Sequence, residues 1–226
     1  MMVSGVQLAV RTLQEPLEQT GFRKRAGEIF TIALADGVLG WLGLNYASRH
    51  RSPGQIAINP VVGVRHQPVE RLLARLRRET FHEYQPPTVS TPIGYVMPAQ
   101  RYMDWEFGGQ YGVTAGAELI AAVVDYGMPF MRSLIHLPAI LEAINQGLCH
   151  NPEYRLPAVL EVMGRHNDAE AAVARAVDDL GERHDAAAQQ LRHFAAAFGA
   201  GVDVPLVGNL GDDGELWLCQ RSENSW

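Results

Sequence analysis

The character of the chain changes near Gly109, and this change restricts what the chain can fold into. Before it, short apolar runs alternate with Gly and Pro; after it, apolar residues recur at helical spacing. The charge changes sign at the same place. Residues 1–100 hold 11 Lys and Arg against 7 Asp and Glu, a balance of +4, whereas residues 101–226 hold 8 against 18, a balance of −10. We expect an α+β protein: a sheet-containing part over 1–110 and a helical part with a short hairpin over 111–226, packed as one unit.

Turn signals in the first part predict an antiparallel sheet with flanking helices. Asp36-Gly37 and Ser52-Pro53-Gly54 separate apolar segments of strand length, which predicts three consecutive strands. A first helix ends near Gly21, and its apolar face consists of Val6, Val10, Leu13 and Leu17. His66-Gln67-Pro68 opens a second helix, whose apolar stripe consists of Val69, Leu72, Leu73 and Leu76. A proline-rich loop follows at residues 81–92. The segments 29–34, 38–46, 55–64, 93–96 and 102–107 are the predicted strands.

The second part reads as about five helices. Thr114 is the predicted N-cap of the first, and Pro138 marks a break in the next, which covers residues 129–146. Asn167 followed by Glu170 resembles a capping box. Two further apolar stripes and a closing hairpin complete the prediction, at residues 156–164, 187–198 and 204–219.

Composition excludes several classes of protein. With 226 residues, 47% of them hydrophobic and 19% charged, the chain can bury a sizeable core, which argues against intrinsic disorder. Residues 1–16 lack the features of a signal peptide, and the longest charge-free run, 84–100, contains four prolines, so we expect no membrane helix. Two cysteines make no disulfide framework, and a cytoplasmic location is expected.

The order of short motifs resembles an uncharacterised family of bacterial α+β domains. Residues 17–30 read LEQTGFRKRAGEIF, and Leu44-Asn45-Tyr46, Ile93-Gly94-Tyr95, Trp105 and Met163-Gly164-Arg165 follow in order. The resemblance spans most of residues 8–198. Members of that family often lie beside toxin–immunity loci. The resemblance implies an α+β fold and an immunity or antitoxin-like binding role, and it implies no catalytic residues.

No motif for catalysis, metal binding or a cofactor stands out. The eight histidines lack metal-ligand spacing, and neither a nucleophile elbow nor a phosphate loop is present. Cys149-His150-Asn151 has the residue types of a thiol protease, but neighbouring side chains diverge and cannot easily form a nucleophile–base pair. We therefore expect no catalytic residue, no metal and no cofactor.

Basic residues offer a second functional hypothesis. The cations of the second helix and of the segment 23–25 could contact phosphates. Because the chain is acidic as a whole, we favour a solvated helix face that forms salt bridges with the acidic half. The cations concerned are Arg23, Lys24, Arg25, Arg65, Arg71, Arg75, Arg77 and Arg78.

Acidic residues offer the hypothesis that we favour. Such a surface can hold a basic protein and raise its association rate. The candidate partner-binding residues are Asp168, Glu170, Asp178, Asp179, Glu182 and Asp185, with Trp105, Trp217 and Trp226 as anchors; Trp41 is assigned to the core. We predict a non-catalytic bacterial binding protein, an immunity-type inhibitor that occludes a basic toxin, with no nucleic acid and no membrane. The alternatives are an orphan enzyme whose site is built from residues distant in sequence, and a nucleic-acid-associated regulator.

Overall fold

The computed structural model describes residues 5–47, 55–108 and 112–200, which form two compact units. The first unit consists of Met1–Gln67 and His82–Pro152, and the second of Pro68–Phe81 and Glu153–Trp226. The units are interleaved along the chain and so differ from the ranges 1–110 and 111–226, whose standing as domains stays a prediction. The predicted α+β class, with an antiparallel sheet and a helical C-terminal half, is confirmed. No described helix is long and apolar enough to cross a membrane.

An antiparallel sheet of six strands forms the first unit's framework. Its order is β1-β2-β3-β4-β5, and β6 pairs with the other end of β4. The Asp36-Gly37 turn is confirmed, because Ala35 pairs with Val38 across it and Gly37 has a φ of 65°. The strands are β1 Arg23–Lys24, β2 Ile29–Ala35, β3 Val38–Ala47, β4 Ile56–His66, β5 Val89–Pro92 and β6 Trp105–Phe107.

Helices cover one face of this sheet. Gly40 of β3 permits the close approach, since a Cβ there would lie 2.9 Å from Met131 Sδ and 2.7 Å from Ile32 Cγ2. Leu13 and Leu17 of the first helix are fully buried, as the predicted apolar face required. The helical segments are α1 Gly5–Gln19, α3 Gly112–Ala122, the π-helical turn Val123–Gly127, α4 Met128–Ser133 and α5 Leu137–Asn145.

The second unit is helical. Its helices are α2 Gln67–Arg77, α6 Pro152–Val162, α7 His166–Asp178 and α8 Ala186–Gly199; the first residues of α2 and α6 belong to the first unit. The predicted apolar stripe of α2 is buried, and a buried ion pair joins Arg155 Nε of α6 to Glu70 Oε1 of α2 at 3.2 Å. Tyr154 meets Phe194 edge to face with ring centroids 5.0 Å apart. The apolar packing and the ion pair together fix how these helices meet.

The segment 82–86 is fastened to the sheet by side chains of the first unit. Arg65, which is 1% exposed, donates hydrogen bonds from all three guanidinium nitrogens, to the carbonyls of His82, Glu83 and Pro86. Other groups add to this fastening: Gln67 Nε2 donates to Glu83 O at 2.8 Å, and Trp41 Nε1 donates to Tyr84 O at 3.0 Å. A buried guanidinium is tolerated because its donors are met by carbonyl oxygens.

Two predicted strands are corrected. Residues 93–96 are not a strand, because Ile93–Tyr95 is a 3-10 turn that packs Gly94 against the backbone of Arg101. A Cβ at Gly94 would lie 2.1 Å from Arg101 O, so the chain doubles back there. The strand in this region is β5, inside the stretch predicted as a loop. The strand predicted over 102–107 is shortened to β6.

Helix starts also differ from the prediction. Thr114 lies inside α3, which continues through the π-helical turn into α4 without the predicted separation. Asn167 is not the N-cap of α7 but lies inside this helix, whose N-cap is Arg165. The N–H of Arg165 also donates to Leu160 O and closes the end of α6. The break near Pro138 is confirmed, with Pro138 in the first turn of α5. The turn Ser52-Pro53-Gly54 and the hairpin over 204–219 lie outside the described residues.

Replacing Arg65 with Met should remove the fastening of segment 82–86. We expect Arg65→Met to lower the free energy of unfolding by about 3 kcal/mol or more, because segment 82–86 loses the hydrogen bonds that the buried guanidinium donates to it. Arg75→Met, at an exposed position of α2, is the control and should change it by less than about 0.5 kcal/mol. Chemical denaturation measures both. Equal stability of the two variants would contradict the role given to Arg65.

Acid should destabilise the fold through His66. Burial lowers the pKa of His66 from 6.5 to about 4, and its Nδ1 has no hydrogen-bond partner among the described residues. Between pH 6.5 and 4 the unfolded chain takes up a proton that the folded chain refuses, so stability falls as pH falls; above pH 6.5 this contribution is constant. The loss amounts to at most about 3 kcal/mol.

Denaturation curves at pH 7 and pH 5 measure this effect. Carboxylates also titrate in this range, so the His66→Gln variant serves as the reference. The wild type should lose more stability than the variant between the two pH values. The same loss in both proteins would show that His66 is not buried in its neutral form.

Candidate functional site

Three exposed carboxylates lie together where α7 ends. Asp178 is the last residue of α7, Asp179 is its C-cap, and Glu182 follows in the turn towards α8. We call these three residues the acidic turn. Within the described part of the chain, none of the three forms an ion pair. Their negative charge is therefore offered to solvent instead of being neutralised internally.

The backbone of the acidic turn is held from α8. Arg192 Nη1 donates to Arg183 O at 2.7 Å, and Nη2 donates to Gly181 O at 3.1 Å. Gly181 also donates its N–H to Asp178 O at 3.0 Å, and Leu180 is buried beneath the turn. The hydrogen bonds from Arg192 and the burial of Leu180 both fix the backbone of the turn, so the carboxylates project from a defined backbone conformation. Such a preorganised base lowers the entropy cost of binding.

The placement of these carboxylates opposes the stability of α7. The C-terminus of a helix carries a partial negative charge, so a carboxylate there costs about 0.3–1 kcal/mol. Asp178 and Asp179 occupy those positions, whereas Arg175 supplies a cation only one turn earlier. The chain keeps two like charges where the helix disfavours them. A surface role explains this better than a folding role.

The predicted acidic set separates into two groups. Asp168 and Glu170 lie near the start of α7, about 15 Å and about 12 Å along the helix from Asp178 at 1.5 Å per residue. Asp168 is already paired with Arg165 Nε at 2.7 Å. The structure therefore does not bring Asp168 and Glu170 into the acidic turn, although both are exposed.

Asp185 has a structural task that the sequence analysis missed. It is the N-cap of α8: its Oδ1 accepts from the N–H of Ala188 at 3.0 Å, and its Oδ2 accepts from Arg183 Nε at 2.9 Å. These hydrogen bonds, that from Arg183 first, lower the pKa of Asp185. Asp185 follows the acidic turn in the chain, but its charge is largely engaged. The sequence signal for this cap was an Asp placed directly before the alanine-rich segment that forms α8.

One of the three predicted aromatic anchors, Trp105, is corrected. Trp105 is only 6% exposed in β6, where it pairs with Ile58, so its ring is not available to a partner. Trp41 is buried, as predicted for a core residue. Trp217 and Trp226 lie outside the described residues.

Several of the basic side chains are engaged within the protein. Arg65 is buried in β4 and does not belong to the face of α2. Arg25 stacks on Tyr84 at 4.0 Å from the ring centroid and donates to Thr31 Oγ1 at 2.8 Å. Arg77 pairs with Glu79 at 2.8 Å. These three cations are engaged within the protein, but other cations of the set, such as Arg75 and Arg78, are exposed, so the phosphate-binding alternative stays a prediction.

The part of the chain that the structure describes does not assemble a cluster of metal ligands. It holds no group of three or more His, Cys, Asp or Glu side chains that could bind a metal ion. Cys149 lies in the loop after α5, and its Sγ donates to the neighbouring His150 carbonyl at 3.2 Å. This contact involves the backbone of His150, not its imidazole. It provides no nucleophile–base pair.

Comparison with family models, with curated proteins and with solved structures finds no match to this chain. The resemblance to bacterial domains near toxin–immunity loci therefore stays a prediction.

Neutralising the end of α7 should stabilise the protein. We expect Asp178→Asn and Asp179→Asn each to raise the free energy of unfolding by about 0.3–1 kcal/mol at low ionic strength, because a negative charge leaves the helix C-terminus. Glu170→Gln, near the start of the same helix, is the matched control and should give no gain. Denaturant titration at low and high salt measures the three variants. A loss of stability in the two Asp variants would show that these carboxylates serve the fold.

Proposed function

We propose that the protein is a non-catalytic binding protein whose acidic turn contacts a basic protein. The observation that carries the proposal is the set of three exposed, unpaired carboxylates on a turn that Arg192 holds in place. Unpaired charges on a fixed base create a negative potential that attracts a cationic surface over about 8 Å at physiological ionic strength. The same potential repels phosphates, which argues for a protein partner over nucleic acid.

The acidic turn acts mainly on the rate of association. Exposed charges lose little of their hydration before contact, so they steer a partner without adding much to the strength of the final complex. Affinity then depends on packing around the turn. On this view the fixed backbone matters as much as the charge, because it keeps the three carboxylates within one patch.

The finer proposal is an immunity-type inhibitor that acts in the bacterial cytoplasm. In this role the acidic turn meets the basic rim of a toxin's active site and occludes it. Two observations support this assignment: the charge balance of −10 over residues 101–226, and a cysteine usage that is typical of a reducing compartment. The motif order described above points to the same class.

Charge reversal of the acidic turn tests the proposal. The partner is captured from a lysate of the source cell, and its association with the full chain is followed by surface plasmon resonance. The triple variant Asp178→Lys, Asp179→Lys, Glu182→Lys should associate ten-fold or more slowly at low salt. The wild type should approach that slow rate as salt is raised, because salt screens exposed charges.

A control at the other end of α7 distinguishes position from net charge. The double variant Asp168→Lys, Glu170→Lys also makes the protein more positive, but it leaves the acidic turn intact. It should slow association much less than the triple variant. If the two variants behave alike, only overall charge matters. If the triple variant binds as fast as the parent, the acidic turn is not the binding surface.

A further inference from the structure

A groove separate from the acidic turn lies between the ends of α2 and α8 in the second unit. Its volume is about 380 Å³, within the range typical of small-molecule pockets. Buried Leu76 and Phe194 supply an apolar floor. Arg77, Arg78, Glu79 and His193 form its rim, and alanines of α8 such as Ala197 form one wall. The groove thus has an apolar floor, a wall of small residues and a polar rim.

Arg78 is held in a backbone conformation that arginine disfavours. The end of α2 is closed by bonds from Arg78 N to Arg75 O at 3.2 Å and from Glu79 N to Ala74 O at 2.8 Å. This closing motif needs a left-handed residue, and Arg78 has a φ of 55°. An L-residue other than Gly is strained there.

Other helices of the same protein close with glycine at the equivalent position. The ends of α1, α5 and α6 show the same pair of backbone hydrogen bonds. Their left-handed residues are Gly21, Gly147 and Gly164, with φ of 97°, 82° and 75°. The end of α2 therefore departs from the protein's own pattern. Strain that persists at one position of a repeated motif points to a use for that side chain.

The rim carries positive charge next to the apolar floor. Arg77 is paired with Glu79 and its guanidinium lies 4.8 Å from the centroid of the Tyr154 ring, which keeps it at the groove. Arg78 is exposed and forms no ion pair within the described residues. His193, across the groove on α8, adds a ring nitrogen that can donate. Glu79 neutralises Arg77, so Arg78 supplies the uncompensated charge.

We propose that this groove binds a small organic anion, in which a carboxylate or phosphate group is attached to a compact apolar body. Arg78 receives the anionic group through charge-assisted hydrogen bonds, with His193 as a second donor. The apolar body lies over Phe194 and Leu76 against the alanines of α8. The floor favours such a ligand over a bare inorganic ion, because it offers apolar surface that an ion cannot use.

Calorimetric titration of the full chain tests this site. The probes are phenyl phosphate and benzoate, and benzyl alcohol is the uncharged control. We expect saturable binding of at least one anion, at least ten-fold tighter than that of benzyl alcohol. Arg78→Gly should weaken anion binding ten-fold or more while raising the thermal unfolding midpoint, since glycine relieves the strain at this position.

Two further variants define the site. Arg75→Ala removes an exposed cation of α2 that does not line the groove, and it should bind the anion like the parent. Ala197→Leu narrows the groove while leaving Arg78 in place, and it should weaken binding. The proposal is overturned if neither anion binds saturably, if Arg78→Gly binds unchanged, or if Arg75→Ala weakens binding as much as Arg78→Gly. None of these results depends on the acidic turn, whose test uses a protein partner.

Discussion

The hydrogen bonds from Arg65 to the segment 82–86 are the interaction on which the first unit depends. A guanidinium that is 1% exposed must have its donors satisfied, and the carbonyls of His82, Glu83 and Pro86 satisfy them. The chain leaves the first unit after Gln67 and returns to it at His82. Gln67 Nε2 also donates to Glu83 O, so a hydrogen bond joins the last residue before the chain leaves the first unit to a residue just after it re-enters. The path of the chain into β5 follows from this arrangement.

Local patterns in the sequence were sufficient to predict part of this fold. Asp36-Gly37 predicts its hairpin because a two-residue turn needs a left-handed residue, and the turn sets the register of β2 against β3. The apolar stripe of α2 likewise needs only helical spacing. Beta strand β5 was missed because it is short and follows a proline-rich loop. Its assignment depends on pairing with β4, which is distant in sequence.

Local sequence patterns are likewise insufficient to predict the candidate sites. The sequence identifies Asp178, Asp179 and Glu182 as acidic, but it cannot separate them from Asp185, whose carboxylate caps α8. Arg65 and Arg78 look alike in a basic stretch, yet one is buried among carbonyls and the other is strained at a helix end. Burial and backbone conformation arise from packing between distant segments. Spacing along the chain does not encode them directly.

Three exposed residues in the second unit, Asp178, Asp179 and Arg78, occupy positions that helix geometry disfavours for them. The acidic turn places carboxylates at the negative end of α7, and Arg78 occupies a position that the protein otherwise gives to glycine. We expect each of these residues to lower the free energy of unfolding, and Asp178→Asn, Asp179→Asn or Arg78→Gly to raise it again. Such local conflicts concentrate where a side chain serves binding. We therefore propose two separate surfaces on the second unit, one for a basic protein and one for a small anion.

Hydrogen exchange of the full chain, free and with its captured partner, tests the central claim most directly. If the acidic turn is the contact surface, exchange should slow at the amides of residues 179–185, and high salt should reduce this protection. Amides of α1, in the other unit, should be unaffected. Protection confined to other surfaces, with unchanged exchange in residues 179–185, would contradict the assignment of the acidic turn as the binding site.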